Sequence, residues 1–231
     1  MGYQAVLFDL FGTLAEFSYT QYEAMLGRVA ALFGVSRAGL AAKLEASSPD
    51  QELGMVWWQD ALDEAWQELG GHPSPGGRED AFREYLFFER SMLMPKAGAL
   101  DVLKALKGSG LPMGLVSNTL QPVPELWPGC LLSPFIDAAV FSCVERIRKP
   151  DPAIYHLACA RLGVSPEETV FVGDGTAQEL SGALAAGLRA VKCCVPDGDP
   201  HRIDFLARQE WDGPWVDTFE ELRLLVRGDR T

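Results

Sequence analysis

The stretch "VLFDLFGTLAEF", Val6 to Phe17, decides how the rest of the chain is read. Ala5 to Leu10 is an apolar run broken only by Asp9, and Gly12-Thr13 closes it. A short apolar run bounded by turn formers reads as a strand buried on both faces that feeds a tight turn. The Asp9 carboxylate then stands at the carboxyl end of that strand, with an aromatic residue, Phe11, just beyond it.

Downstream the periodicity changes. Tyr22, Met25, Leu26, Val29, Leu32 and Phe33 recur at helical spacing, Gly34 stops the run, and Ser36 is placed to cap the next helix. Further helical runs are predicted over about residues 50–69 and 78–90, separated by "GGHPSPGG". From Pro95 onward helices and strands alternate. A helix over about 97–107 precedes the strand "MGLVS" (Met113 to Ser117), and "AAVFS" (Ala138 to Ser142) follows. Asp151 caps a helix with Pro152 in its first turn. "TVFVG" (Thr169 to Gly173), a helix over about 178–186 and "RAVKC" (Arg189 to Cys193) complete the pattern. Such alternation predicts an α/β fold, a parallel sheet covered by helices. The helical block interrupts it after the first strand and is expected to lie over the carboxyl ends of the strands, where open parallel sheets bind ligands.

The chain has 231 residues, 48% of them hydrophobic, enough for a large buried core. Its formal net charge is -12 and it has no block of Lys or Arg, so neither nucleic-acid nor membrane partners are expected. A small anionic substrate would need a local positive cluster or a metal. The five cysteines (Cys130, Cys143, Cys159, Cys193, Cys194) show no zinc spacing and read as reduced, structural thiols. No segment has the length of a membrane span, and the first ten residues lack the features of a secretion signal. The cytoplasm is the expected location. The sequence specifies no oligomeric state.

Four features fall at successive strand ends: Asp9, Ser117-Asn118, Lys149 and Asp174. Singly, an Asp after a strand is an ordinary turn former and a Lys before Pro an ordinary loop residue. As an ordered set, "FDLFGTL", "LVSN", "RKPDPAIYHLA" and "FVGDGTAQELSGALAAG" resemble the four motifs of the haloacid dehalogenase superfamily of hydrolases, in the form with a helical cap after the first strand. The resemblance covers nearly the whole chain. It implies a Rossmann-like parallel-sheet core formed by residues 1–16 and 93–231, with an all-helical cap domain over 17–92.

The same resemblance implies roles. Asp9 would be the nucleophile, forming an ester intermediate that splits one hard step into two. Thr13 would brace its loop, and Ser117 and Lys149 would hold the transferring group and neutralise its charge. Phe11, Gly12 and Asn118 would contact substrate. In the phosphatase branch Mg2+ would be held by Asp9, Asp174 and the backbone carbonyl of Phe11. Glu179 is open between orienting a metal-bound water and being a solvated residue in the first turn of a helix.

Phe11 is the departure, because many phosphatases of the family carry there an Asp that moves protons. General acid-base catalysis is worth about 10²- to 10⁴-fold, and phenylalanine cannot supply it. Haloacid dehalogenases of the superfamily carry an aromatic residue at this place, and Tyr155 also matches them, although phosphatases share it. They carry Ser and Asn where this chain has Asp174 and Thr176, and they work without metal. They also need a cap arginine for the leaving halide, for which Arg28 and Arg37 are the candidates. Trp57-Trp58 could line the lid's inner face, and the three histidines show no metal-ligand spacing. The expectation is therefore an aspartate-nucleophile hydrolase, first a Mg2+-dependent phosphohydrolase of a small metabolite. The alternatives are a metal-independent 2-haloacid dehalogenase and a catalytically impaired binding protein on the same scaffold.

Overall fold

The apolar run that ends at Asp9 is the centre of a six-stranded sheet. The computed structural model describes residues 2–196 and 211–228. Its strands are β1 (Ala5–Phe8), β2 (Met113–Ser117), β3 (Ala138–Phe141), β4 (Thr169–Gly173), β5 (Arg189–Cys193) and β6 (Trp215–Val216). They lie in the order β3-β2-β1-β4-β5-β6 and pair in parallel throughout. All four residues of β1 are buried, as expected of a strand between two parallel neighbours with helices on both faces. The order reverses at β1, since β2 lies on one side and β4 on the other. Carboxyl-end loops diverge at such a point and leave a crevice.

Helices α1 (Tyr19–Phe33), α2 (Arg37–Glu52), α3 (Trp58–Glu68) and α4 (Gly77–Met92) form the cap and bury their own core. Ser18 caps α1 by accepting from the Gln21 amide (3.2 Å), and Gly34 ends it in the left-handed conformation. Met25, Leu26, Val29 and Phe33 of α1 share a cluster with Trp58 of α3 and Tyr85 and Phe88 of α4. Where the sequence predicts a helix over about 50–69, the structure separates α2 from α3. The chain turns at Gly54, which has φ +63°, and Trp57 re-enters in an extended conformation.

The chain enters and leaves the cap along one pair of antiparallel segments. The Glu16 amide donates to the Met94 carbonyl (3.1 Å) and the Lys96 amide to the Leu14 carbonyl (2.9 Å).

Beyond it come α5 (Ala99–Gly108), α6 (Val123–Leu126), α7 (Ser142–Glu145), α8 (Pro152–Leu162), α9 (Glu179–Ala185) and α10 (Phe219–Arg227). Side chains alternate across the sheet with period two. Val6 and Phe8 pack on the face covered by α5 and α10, and Leu7 packs on the face covered by α8 and α9. Asp151 caps α8, accepting from the Ala153 amide at 2.9 Å, with Pro152 at its first position. All five cysteines are unpaired. No single described helix is long and apolar enough to cross a membrane.

Candidate active site

Asp9 follows β1 directly, and its amide donates to the Val172 carbonyl (2.9 Å), which fixes it at the end of the sheet. Both its carboxylate oxygens are held. The Thr13 hydroxyl donates to Oδ2 (2.9 Å), and the Lys149 ammonium donates to Oδ1 (2.5 Å). The same ammonium donates to Glu179 Oε2 (2.5 Å), and all three side chains are buried. Glu179 is thus an interior residue, which removes the reading of it as a solvated helix residue.

Asp174 follows β4, fully buried, and its Oδ1 accepts from the Thr176 amide (2.8 Å). Ala177 and Gln178 then take left-handed backbone angles (φ 51° and 55°), strained for residues with a Cβ. This turn delivers Glu179 back to the strand end. Its Oε1 accepts from the Gly175 amide (2.9 Å), and a Cβ at position 173 would collide with its carboxylate, so Gly173 is what allows the approach. Carboxylate oxygens of Asp9, Asp174 and Glu179 lie within 4.8 Å of one another.

Burial raises the Asp9 carboxyl above its ordinary value. Lys149 opposes that rise, and the Asp174 charge adds to it. Glu179 is raised well above the carboxylate range by burial and then by Asp9. Burial alone would lower the Lys149 ammonium, but Asp9 and Glu179 hold it above its ordinary value, so it stays charged. Three buried carboxylates converge here, and all their donor atoms are oxygen. That donor set fits a hard divalent cation such as Mg2+.

The other residues singled out in the sequence stand around this cluster. Ser117 ends β2, buried, and Asn118 clasps the backbone of Lys149. Its Oδ1 accepts from the Lys149 amide (2.8 Å), and its Nδ2 donates to the Lys149 carbonyl (3.1 Å). The Gly12 carbonyl accepts from the Lys96 ammonium (2.6 Å). Lys96 is buried and was not singled out in the sequence, where a Lys after Pro carries no pattern. Tyr155 braces the cluster from below, its hydroxyl donating to the Glu179 carbonyl (2.7 Å).

Phe11 is half-buried and touches both the sheet core and the cap core. It forms part of the wall of a cavity of about 540 Å³ between cap and sheet. Asn118, Thr119 and Leu120 line the sheet side of this cavity, and α1, α2, α3 and α4 line the rest. Trp58 is buried in that wall, whereas Trp57 is exposed. Neither candidate cap arginine reaches it. Arg28 pairs with Glu84 (2.7 Å) and Arg37 with Glu23, both arginines about half exposed. Among the described residues, no Arg, Lys or His lines the cavity.

Relatives of this chain divide between two chemistries. Over 223 residues it is 29% identical to a glyceraldehyde 3-phosphate phosphatase of Methanopyrus kandleri, covering 91% of this chain and 94% of that one. It is 28% identical to an (S)-2-haloacid dehalogenase of Burkholderia cepacia, with 70% and 77% covered. A phosphoserine phosphatase of Thermus thermophilus is 34% identical over 131 residues, 55% of this chain and about half (51%) of that protein. Among solved structures, a 2-haloacid dehalogenase from Pseudomonas syringae superposes with TM-score 0.69 at 22% identity, covering 97% and 98% of the two chains. At that identity the likeness speaks for the fold alone. A model of the haloacid dehalogenase-like hydrolases matches residues 3–187. That span takes in β1 with Asp9, the helical cap, Asp174 after β4 and Glu179 at the start of α9, and the chain belongs to this family of hydrolases.

Proposed function

We propose that this hydrolase works by aspartyl transfer as a Mg2+-dependent phosphohydrolase of a small phosphorylated metabolite. Residues 1–16 and 93–231 would act as the catalytic unit and 17–92 as the cap unit. The observation that carries the reading is the convergence of Asp9, Asp174 and Glu179 beside Lys149. Mg2+, held by Asp9, Asp174 and the Phe11 carbonyl, would supply Lewis-acid stabilisation of the phosphoryl oxygens.

The chain's own residues divide the remaining work. Asp9 attacks phosphorus, the bond from phosphorus to the leaving oxygen breaks, and an aspartyl phosphate forms. Water then attacks that phosphorus, releasing phosphate and restoring the carboxylate. Thr13 fixes the carboxylate plane through Oδ2. Lys149, already charged at Oδ1, meets the negative charge that grows on the phosphoryl group. Ser117 and the Gly12-bearing loop position that group, and Asn118 sets the Lys149 backbone. Phe11 offers no proton, so the site suits a leaving oxygen of low pKa, as in an acyl or aryl phosphate.

Phe11 itself favours a second reading, carbon-halogen displacement on a 2-haloacid, in which the departing halide needs no proton. Among the described residues, no cation lines the cavity to receive it. The two readings separate in one assay, in which chelator-stripped protein is given acyl, aryl and alkyl phosphates and 2-chloropropionate, with and without Mg2+. Phosphate release that depends on Mg2+ is expected. Chloride release in chelator, with no phosphate from any ester, would replace the first reading with the second.

A further inference from the structure

The cavity between cap and sheet has a chemistry of its own. Its wall is aromatic, with Trp58 stacked on Tyr85 (centroids 4.2 Å apart) and Tyr22 packed beside Phe88 (5.7 Å). Four carboxylates line it. Glu23 and Glu52 are paired with Arg37 and Arg148, but Glu45 and Glu89 pair with no cation among the described residues. Glu89, at 7% exposure, is buried in the wall.

Gln51 lines the same cavity at 3% exposure, and its Oε1 is a buried acceptor without a partner. Its orientation is set by the other end of the amide. Nε2 donates to the Leu44 carbonyl (3.4 Å) and to the Ser47 hydroxyl oxygen (2.8 Å), and a carbonyl can only accept. An orphaned acceptor, a carboxylate that Tyr85 reaches but no described cation does, and ring faces together call for one thing, a cation with N–H donors.

We propose that the cap cavity binds a protonated amine, so that the substrate is a phosphate ester whose organic part carries an ammonium group. The phosphate would lie at Asp9 and the ammonium among Gln51, Glu89 and the Trp58–Tyr85 stack. This substrate class rests on the phosphohydrolase reading, while amine binding by the cavity does not. Burial pushes the Glu89 carboxyl up to about 7. The titratable groups that face it are Tyr85 on its own helix, Tyr22 on α1 and Cys143 on α7, none of them cationic. An ammonium bound beside Glu89 stabilises its ionised form, so binding near neutral pH releases a proton and strengthens as pH rises from about 6 to about 8.

Calorimetry with 2-phenylethylammonium chloride and its uncharged analogue 2-phenylethanol tests the proposal without turnover. The ammonium should bind about tenfold or more tightly than the alcohol, the worth of a charge-assisted hydrogen bond. Proton release should show as a dependence of the heat on buffer. Glu89→Gln should abolish the preference, and Gln51→Met, which removes the orphaned acceptor at similar volume, should reduce it. Equal binding of the two probes, tighter binding of the alcohol, or an undiminished preference in folded Glu89→Gln would overturn the proposal. A parallel assay compares 4-(2-aminoethyl)phenyl phosphate with 4-ethylphenyl phosphate in Mg2+, both with the low-pKa leaving oxygen that the site suits. Release of phosphate from neither, with the ammonium preference intact, would sink the hydrolase chemistry and leave the amine site standing. Equal kcat/KM on both, without any ammonium preference, would do the reverse.

Discussion

Phe11 stands where a proton carrier would help most, and its ring spans the seam between the two cores instead. Phe11→Asp should raise kcat/KM on an alkyl phosphate about tenfold or more, short of the full general-acid range because the loop is packed around a ring. Aryl phosphates, whose leaving oxygen needs no proton, should gain less. A folded variant with no gain on the alkyl ester would mean that proton supply does not limit the reaction. Asp9→Asn should lower turnover by several orders of magnitude with little change in Tm, since it removes one negative charge from an acidic cluster. Activity within about tenfold of the parent would remove Asp9 from the role of nucleophile. Asp174→Ala should abolish the rise in Tm that Mg2+ is expected to give the parent, a readout independent of turnover. Asp9 and Asp174 were legible because each follows a recognisable strand, and Lys149 because it stands just before the helix that Asp151 caps. Glu179 was only half legible, since one residue type serves both a solvated first turn and a buried ion pair. Gln51 and Glu89 were not legible at all. They lie on helix faces, and a cavity wall assembled from four helices leaves no spacing along the chain.

Among the elements, the break between α2 and α3 is where the cap meets the core. Gly54 packs its backbone against the Cys143 carbonyl of α7, and a Cβ there would collide with it. Gly54→Ala adds this clash to an unfavourable left-handed angle, so it should cost about 1–3 kcal/mol, seen as a lower urea midpoint. A midpoint unchanged from the parent would mean that the cap does not rest on α7. Helix α4 carries a second local cost. Burial holds the Glu89 carboxyl near 7, above its ordinary 4.5, so folding favours the protonated form. The penalty is absent below about pH 4.5, grows as pH rises, and levels off above about pH 7 at about 3 kcal/mol. Glu89→Gln should therefore stabilise the fold at pH 8 and change little at pH 4.5, which melts at the two values would show. The α2–α3 break escaped the sequence reading because the apolar period runs on through Gly54. β6 and α10 differ in the signal they carry. β6 has two residues, too few for any period, whereas α10 did carry a signal. Thr218 and Glu221 form a capping box in which the Thr hydroxyl accepts from the Glu221 amide (3.1 Å), ahead of buried Phe219, Leu222 and Val226.

Across the whole molecule, several contacts among the described residues tie the cap to the core, and two of them are side-chain bonds that depend on its closed position. Glu52 at the end of α2 accepts from Arg148 (2.7 Å), the residue before Lys149, and the Tyr85 hydroxyl donates to the Gln121 carbonyl (3.0 Å). The ion pair is partly exposed, with Arg148 at 38% and Glu52 at 22%, so it contributes at most about 1 kcal/mol to stability. Glu52→Gln should leave Tm nearly unchanged while raising KM a few-fold, about what losing such a pair from the closed form allows. The alternation of strands and helices after Pro95 made the α/β fold and the helical block before it visible in the sequence. How the cap sits on the sheet was not visible, because it depends on single contacts between distant loops. The paired segments at Glu16–Met94 and Leu14–Lys96 have a consequence for the chain as a polymer. Departure and return are neighbours, so the sheet already supplies the closure of whatever lies between them. Loop-closure entropy grows only by about 0.6 kcal/mol for each doubling of length, and the sheet is therefore nearly indifferent to how much chain is spliced in at this port. Replacing residues 17–92 by a short Gly-Ser linker should leave a core that melts cooperatively, and a longer helical insert grafted at the same two points should be accepted as readily as the native one.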